Sequence, residues 1–127
     1  MKTKPRTEKE RDSENKDIES RIMEFANRVR MFVKKLHETT SNIEDVKKII
    51  NSSGSIGANY IQANNSSDKK DFIQQIKICQ KKAEESRFWL GLLDTDWDPE
   101  HELERKKLVH EATGLINIFN SILHSGK

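Results

Sequence analysis

Arg105 and His110 close the run Arg105-Lys106-Lys107-Leu108-Val109-His110, an Arg-x4-His spacing. A histidine so placed can take a proton from a ribose hydroxyl, while the arginine stabilises the charge on a phosphate in transit. That would be the chemistry of a metal-independent ribonuclease. A second set of residues could hold phosphates without breaking them. Arg28, Arg30, Lys34 and Lys35 cluster in one segment, and Lys69, Lys70, Lys77, Lys81, Lys82 and Arg87 in another. Lys77 and Lys81 are four apart, and Lys70 lies one heptad before Lys77, so a helix would place all three on one side. Such lysines offer non-specific, salt-sensitive contacts to an RNA or DNA backbone. No aromatic residue interleaves with them, so base stacking is not expected. Metal chemistry is not expected either. His101 and Glu104 are three apart, but no second Glu-x-x-His pattern completes a bundle-core site. No phosphate-binding glycine loop, nucleophile elbow or Cys/His cluster is present, so no cofactor is implied.

These groups must be positioned by helices. Ile18, Ile22, Phe25, Val29, Phe32 and Leu36 follow alternating steps of four and three, the stripe of an amphipathic helix. Thr39-Thr40-Ser41-Asn42 reads as a turn, with Ser41 or Asn42 capping a second helix that runs to about Asn64. Its apolar flank is read as Ile43, Val46, Ile50, Ile61 and Ala63. Asn64-Asn65-Ser66-Ser67 is the next turn, with Ser67 as cap. A third helix carries Phe72, Ile76, Cys79, Ala83, Ser86, Leu90 and Leu93, with a second apolar edge at Ile78, Trp89 and Leu92. Pro99 suits the first turn of a fourth helix bearing Leu108, Ala112, Leu115, Phe119 and Ile122. Residues 1–16, mixed in charge and without a large apolar residue after Met1, read as a disordered tail. The expected fold is therefore all-α, an antiparallel up-down four-helix bundle over residues 17–125. The second apolar edge has no place in a lone bundle and predicts self-association.

A chain of 127 residues with 35 % charged and 33 % apolar residues is one helical domain. Its single cysteine, on an apolar stripe, fits a reducing compartment. The polar N-terminus and the lack of a long apolar run argue for a cytoplasmic protein with no membrane partner. Charge is unevenly spread. Residues 21–87 hold thirteen Lys/Arg against eight Asp/Glu, whereas residues 88–127 hold four against seven. This polarity can steer a polyanion to one surface or pair subunits head to tail.

The second helix contains an anomaly, Ser52-Ser53-Gly54-Ser55-Ile56-Gly57-Ala58-Asn59. Glycine inside a helix costs about 1 kcal/mol relative to alanine, and serine about half that. Close approach by another helix would offset the cost. Gly54, Gly57 and Ala58 would permit that approach, Asn59 would hydrogen-bond across it, and Trp89 would bury a large area nearby. A short loop between two helices is the alternative for this run; the helical spacing on both sides favours the continuous helix.

Ser55-Ile56-Gly57-Ala58-Asn59, then Lys69-Lys70-Asp71-Phe72-Ile73 with Glu85-Ser86-Arg87-Phe88-Trp89-Leu90, then Glu111-Ala112 and Leu115-Ile116 occur in order. In these blocks, covering about residues 22–123, the chain resembles the bacterial four-helix-bundle family encoded in intervening sequences of large-subunit ribosomal RNA genes. The resemblance implies a non-enzymatic bundle assembled as a ring-like homopentamer. It also implies nucleic acid and a reverse transcriptase as partners, since the family includes accessory proteins of diversity-generating retroelements. Gln62 departs from the carboxylate that many relatives carry there, so no ionic role is carried over to that position. The Arg-x4-His spacing is similar to that of HEPN-class ribonucleases, which usually have a polar Asn, Asp or His where this chain has Lys106. The function expected is thus a binding or scaffold protein touching nucleic acid through Arg28, Arg30, Lys34, Lys35, Lys70, Lys77 and Lys81. A ribonuclease using Arg105 and His110, or a purely structural protein-interaction module, are the alternatives.

Overall fold

The computed structural model describes residues 6–125. Four helices account for nearly all of them: α1 (Glu8–Val33), α2 (Thr40–Asn64), α3 (Lys69–Leu92) and α4 (Pro99–Ser125). At 24 to 27 residues each, they are roughly 36 to 40 Å long. Each helix packs on its chain neighbours, and α4 closes the square on α1. Cross-links fix the antiparallel order. Ser86 Oγ donates to Ser52 Oγ at 2.9 Å between α3 and α2. Arg87 reaches Thr113 at 3.1 Å between α3 and α4, and Arg21 reaches Glu111 at 2.6 Å between α1 and α4. The all-α four-helix bundle read from the sequence is the fold. Among the described residues no helix is long and apolar enough to cross a membrane.

The expected stripes of α1, α3 and α4 form the core. Phe25, Val29, Phe32, Ile76, Leu90, Leu108, Leu115 and Phe119 are all buried. The reading of α2 was right only in part. Ala63 is buried and Val46 and Ile50 pack against the core, but Ile43 and Ile61 are exposed, and the centre of the core face is Ile49, Ser52, Ser53, Ile56 and Tyr60. Two core positions are serines, so hydropathy alone missed that part of the stripe. Their hydroxyls donate to Ile49 O and Ile50 O one turn back, which satisfies them in an apolar setting.

Three helix starts also differ from expectation. Residues 8–16 of the proposed disordered tail are helical, while residues 1–5 lie outside the described residues. A capping box explains the early start: Thr7 Oγ1 accepts from Glu10 N–H, and the Glu10 carboxylate accepts from Thr7 N–H, both at 3.1 Å. Thr39, not Ser41 or Asn42, caps α2, and Asp68, not Ser67, caps α3. Asn42 is free for another task. It is buried, and its side chain bonds His37 O, Asp94 O and Asp94 N–H, tying the α1–α2 turn to the α3–α4 turn.

Candidate nucleic-acid interface

The two basic clusters do not form one surface. α1 and α3 lie on a diagonal of the bundle with no close backbone approach between them. Lys70, Lys77 and Lys81 are exposed on α3. Lys81 lies beside a groove of about 830 Å3 between α2 and α3. Lys47 and Lys48 join it there, but so do Glu44, Glu84 and Glu85, leaving that groove balanced in charge. It does bring aromatics beside lysines, which the linear sequence had hidden. Phe88 meets Trp89 edge to face at 5.1 Å, and Lys48 Nζ stands 6.0 Å from the Trp89 ring.

On α1 the four cations diverge. Lys34 and Lys35 are exposed at the helix end, and Arg30 turns toward Gly54 of α2. Arg28 turns the other way and pairs with Glu104 of α4 at 3.6 Å. There it meets His110, which the sequence reading had assigned only to a catalytic pair with Arg105, and the two lysines that precede it. Arg28, Lys106, Lys107, His110 and Glu111 line a shallow depression of about 380 Å3 on the α1–α4 seam. Glu111 is already held by two of the three Arg21 side-chain nitrogens, Nε at 2.6 Å and Nη2 at 3.2 Å. Lys106 and Lys107 are exposed and have no ion-pair partner among the described residues. The signal for this site was present in the sequence as Lys106-Lys107 next to His110, but its partner Arg28 is remote in the chain.

Arg105 does not face this depression. It donates to the carbonyls of Leu90, Gly91 and Leu93 at the end of α3, to Thr95 Oγ1, and to Glu102. This arginine caps a helix C-terminus, where a cation satisfies orphan carbonyls. Five residues later on the same helix, His110 lies about 140° around the axis. Arg105 is thus committed to the end of α3 while His110 lines the α1–α4 depression, and the two side chains are not brought together. Among the described residues no group of three or more His, Cys, Asp and Glu could hold a metal.

The small-residue segment packs differently from the expectation. Close approach is made by its other side, where Cys79 Sγ lies 3.6 Å from Ile56 O and Ser86 meets Ser52. A Cβ built on Gly54 would meet only the Arg30 guanidinium at 3.8 Å, and one on Gly57 only Ile22 Cγ2 at 3.4 Å. No neighbouring backbone needs either glycine. Asn59 Nδ2 donates to Ser55 O at 2.7 Å within its own helix rather than across a helix contact, and Trp89 is half-buried. Ala58 is exposed. Gly54, Gly57 and Ala58, with Ile22, Met23 and Ile61, instead line an apolar groove of about 360 Å3 between α1 and α2.

No family model and no curated protein matches the chain. Among solved structures, it is similar to a protein of unknown function from the S23 ribosomal protein family of Bacteroides thetaiotaomicron VPI-5482. The two chains are 26 % identical with a TM-score of 0.75, over 87 % of this chain and 98 % of that one.

Proposed function

We propose that this protein is a non-enzymatic, self-associating bundle of the rRNA intervening-sequence type that presents the α1–α4 seam to a nucleic-acid backbone. The observation that carries the reading is the depression where Lys106, Lys107 and His110 lie beside two carboxylates already paired with arginines, Glu111 with Arg21 and Glu104 with Arg28. Phosphates seated there would meet two lysines that surrender no partner to bind them. Lys77 and Lys81 form a separate strip, which assembly could bring alongside the seam of another copy. Support for self-association comes from Met23, Met31, Phe88 and Leu92, each more than half exposed. A ring of five is what the family resemblance implies, and a cytoplasmic location fits it. A reverse transcriptase is the protein partner that the same resemblance suggests.

Fluorescence anisotropy with labelled single-stranded and duplex RNA and DNA tests the nucleic-acid reading. Binding should weaken linearly on a log–log plot against salt. The Lys106→Ala and Lys107→Ala variants should each lower that slope by about 1. Lys47→Ala, a lysine paired with Glu44 on α2, serves as a control away from the seam. Absence of binding at low salt, or binding indifferent to both lysines, would overturn the proposal.

A further inference from the structure

We infer that the outer ridge of α3 is a track for a single-stranded nucleic acid, with phosphates on Lys70, Lys77 and Lys81 and one unpaired base stacked on Phe88. This rests on the nucleic-acid reading and specifies the form of the ligand, on a surface apart from the α1–α4 seam. At about 100° per residue, Lys70, Lys77, Lys81 and Phe88 lie within about 20° of one line along the helix. The buried residues Ile76, Cys79, Ala83, Ser86 and Leu90 lie on the opposite side. The line therefore points away from the core, and packing inside the bundle gives no reason for an aromatic ring on it. Phe88 is 59 % exposed, and Leu92, one turn on, is 52 % exposed.

Spacing along the line fits a strand. Lys77 and Lys81 are about 6 Å apart in helix rise, close to the phosphate repeat of an extended strand. Lys70 before them and Phe88 after them are each about 10 Å further along. The three lysines are exposed, and none has an ion-pair partner among the described residues. Phosphates on them would displace no carboxylate of the protein. The track from Lys70 to Phe88 is about 27 Å long, room for about five nucleotides of an extended strand.

The ring at the end of the track selects the ligand. Phe88 is held by its edge-to-face contact with Trp89, which itself packs against the core. A base inside a duplex hides both its faces in the stack, so only an unpaired base can lie on Phe88. Lysines alone would not make that distinction. One carboxylate opposes the strand. Glu84 stands between Lys81 and Phe88 on the same ridge without an ion-pair partner, whereas Glu85 is turned to Lys82 at 3.3 Å. Met23 and Met31 stand on α1, diagonal to α3, so assembly through them leaves the ridge open.

The test measures anisotropy of a labelled oligothymidine strand and of a labelled DNA duplex with the full chain at low salt. Phe88→Ala should weaken the strand about tenfold or more and leave the duplex within about twofold, whereas Phe88→Tyr should keep strand binding. Lys77→Ala and Lys81→Ala should each lower the salt slope for the strand by about 0.7. Glu84→Gln should tighten the strand. Trp89 and Trp97 are the two tryptophans of the chain, so in a Trp97→Phe background emission reports on Trp89 alone. The strand should quench it and the duplex should not. Circular dichroism checks that each variant remains folded, and light scattering reads its mass. Strand binding that survives Phe88→Ala would overturn the track, as would Trp89 emission that phosphatidylserine vesicles shift and the strand does not. So would a mass that falls in Phe88→Ala, because a second copy would then cover the ring. Binding of neither strand nor duplex would overturn the nucleic-acid reading itself.

Discussion

Asn42 shows how much one polar side chain can hold when it is buried beside unpaired backbone. It satisfies two carbonyls and one N–H across two turns that are 52 residues apart in the chain. Asn42→Ala should cost about 2 to 3 kcal/mol, read as a lower denaturant midpoint, because those groups would stay buried without partners. Cys79 illustrates the opposite, a reactive group made inert. Burial pushes its thiol up to about 12, so thiol reagents should modify it only at the rate of unfolding. The glycines divide by what surrounds them. A Cβ on Gly91 meets nothing within 4 Å, and Gly91→Ala should stabilise the protein by about 0.5 to 1 kcal/mol in chemical denaturation. Gly57→Ala should also be accommodated, since Ile22 stands at an ordinary contact distance.

The helix starts decide behaviour at the scale of elements. α1 begins with two turns of exposed residues held by the Thr7–Glu10 box and by Arg6 on Glu14 at 2.6 Å. Thr7→Ala should therefore fray residues 8–14, seen as faster amide exchange there, and leave the core turns of α1 protected. Three carboxylates at or near such starts are held below their ordinary range. Glu10 accepts the Thr7 N–H, Asp98 accepts the His101 N–H at the start of α4, and Glu102 accepts from Thr95 and then Arg105. A lowered pKa in the folded state means that the unfolded chain binds more protons as acid is added. Their contribution is complete above the ordinary carboxylate range and disappears as pH falls through the lowered values. Melting curves should thus shift to lower temperature below about pH 4.5, the ordinary glutamate value. Glu102→Gln should reduce that shift.

The whole molecule separates opposite kinds of surface around its perimeter. The α1–α4 seam collects cations, the α2–α3 groove balances three lysines with three carboxylates, and the α1–α2 groove is apolar. Under the proposed reading, such a division would leave one side for phosphate and others for copies of the chain. At this scale salt should act in two directions. Raising it should release nucleic acid by screening and counterion effects. An assembly driven by buried apolar surface should persist, which sedimentation at low and high salt would show.

Periodicity was sufficient for α1, α3 and α4, whose stripes of Phe25, Val29, Leu90 and Leu115 are the core, because burial of large apolar residues leaves a repeat that can be read directly. It succeeded only in part for α2: Val46, Ile50 and Ala63 lie in or against the core, but Ser52 and Ser53 occupy core positions that a hydropathy pattern counts as solvent. Those places become tolerable only when Ser86 and the preceding turn supply hydrogen-bond partners. The candidate site divides in the same way. Basic residues were legible one segment at a time, but Arg28 joins Lys106 and Lys107 through the packing of α1 on α4, and Arg105 leaves that set to cap α3. Local spacing determines which side of its own helix a residue occupies. Which other helix faces that side depends on how four cylinders share one core, and that is a property of the packed chain.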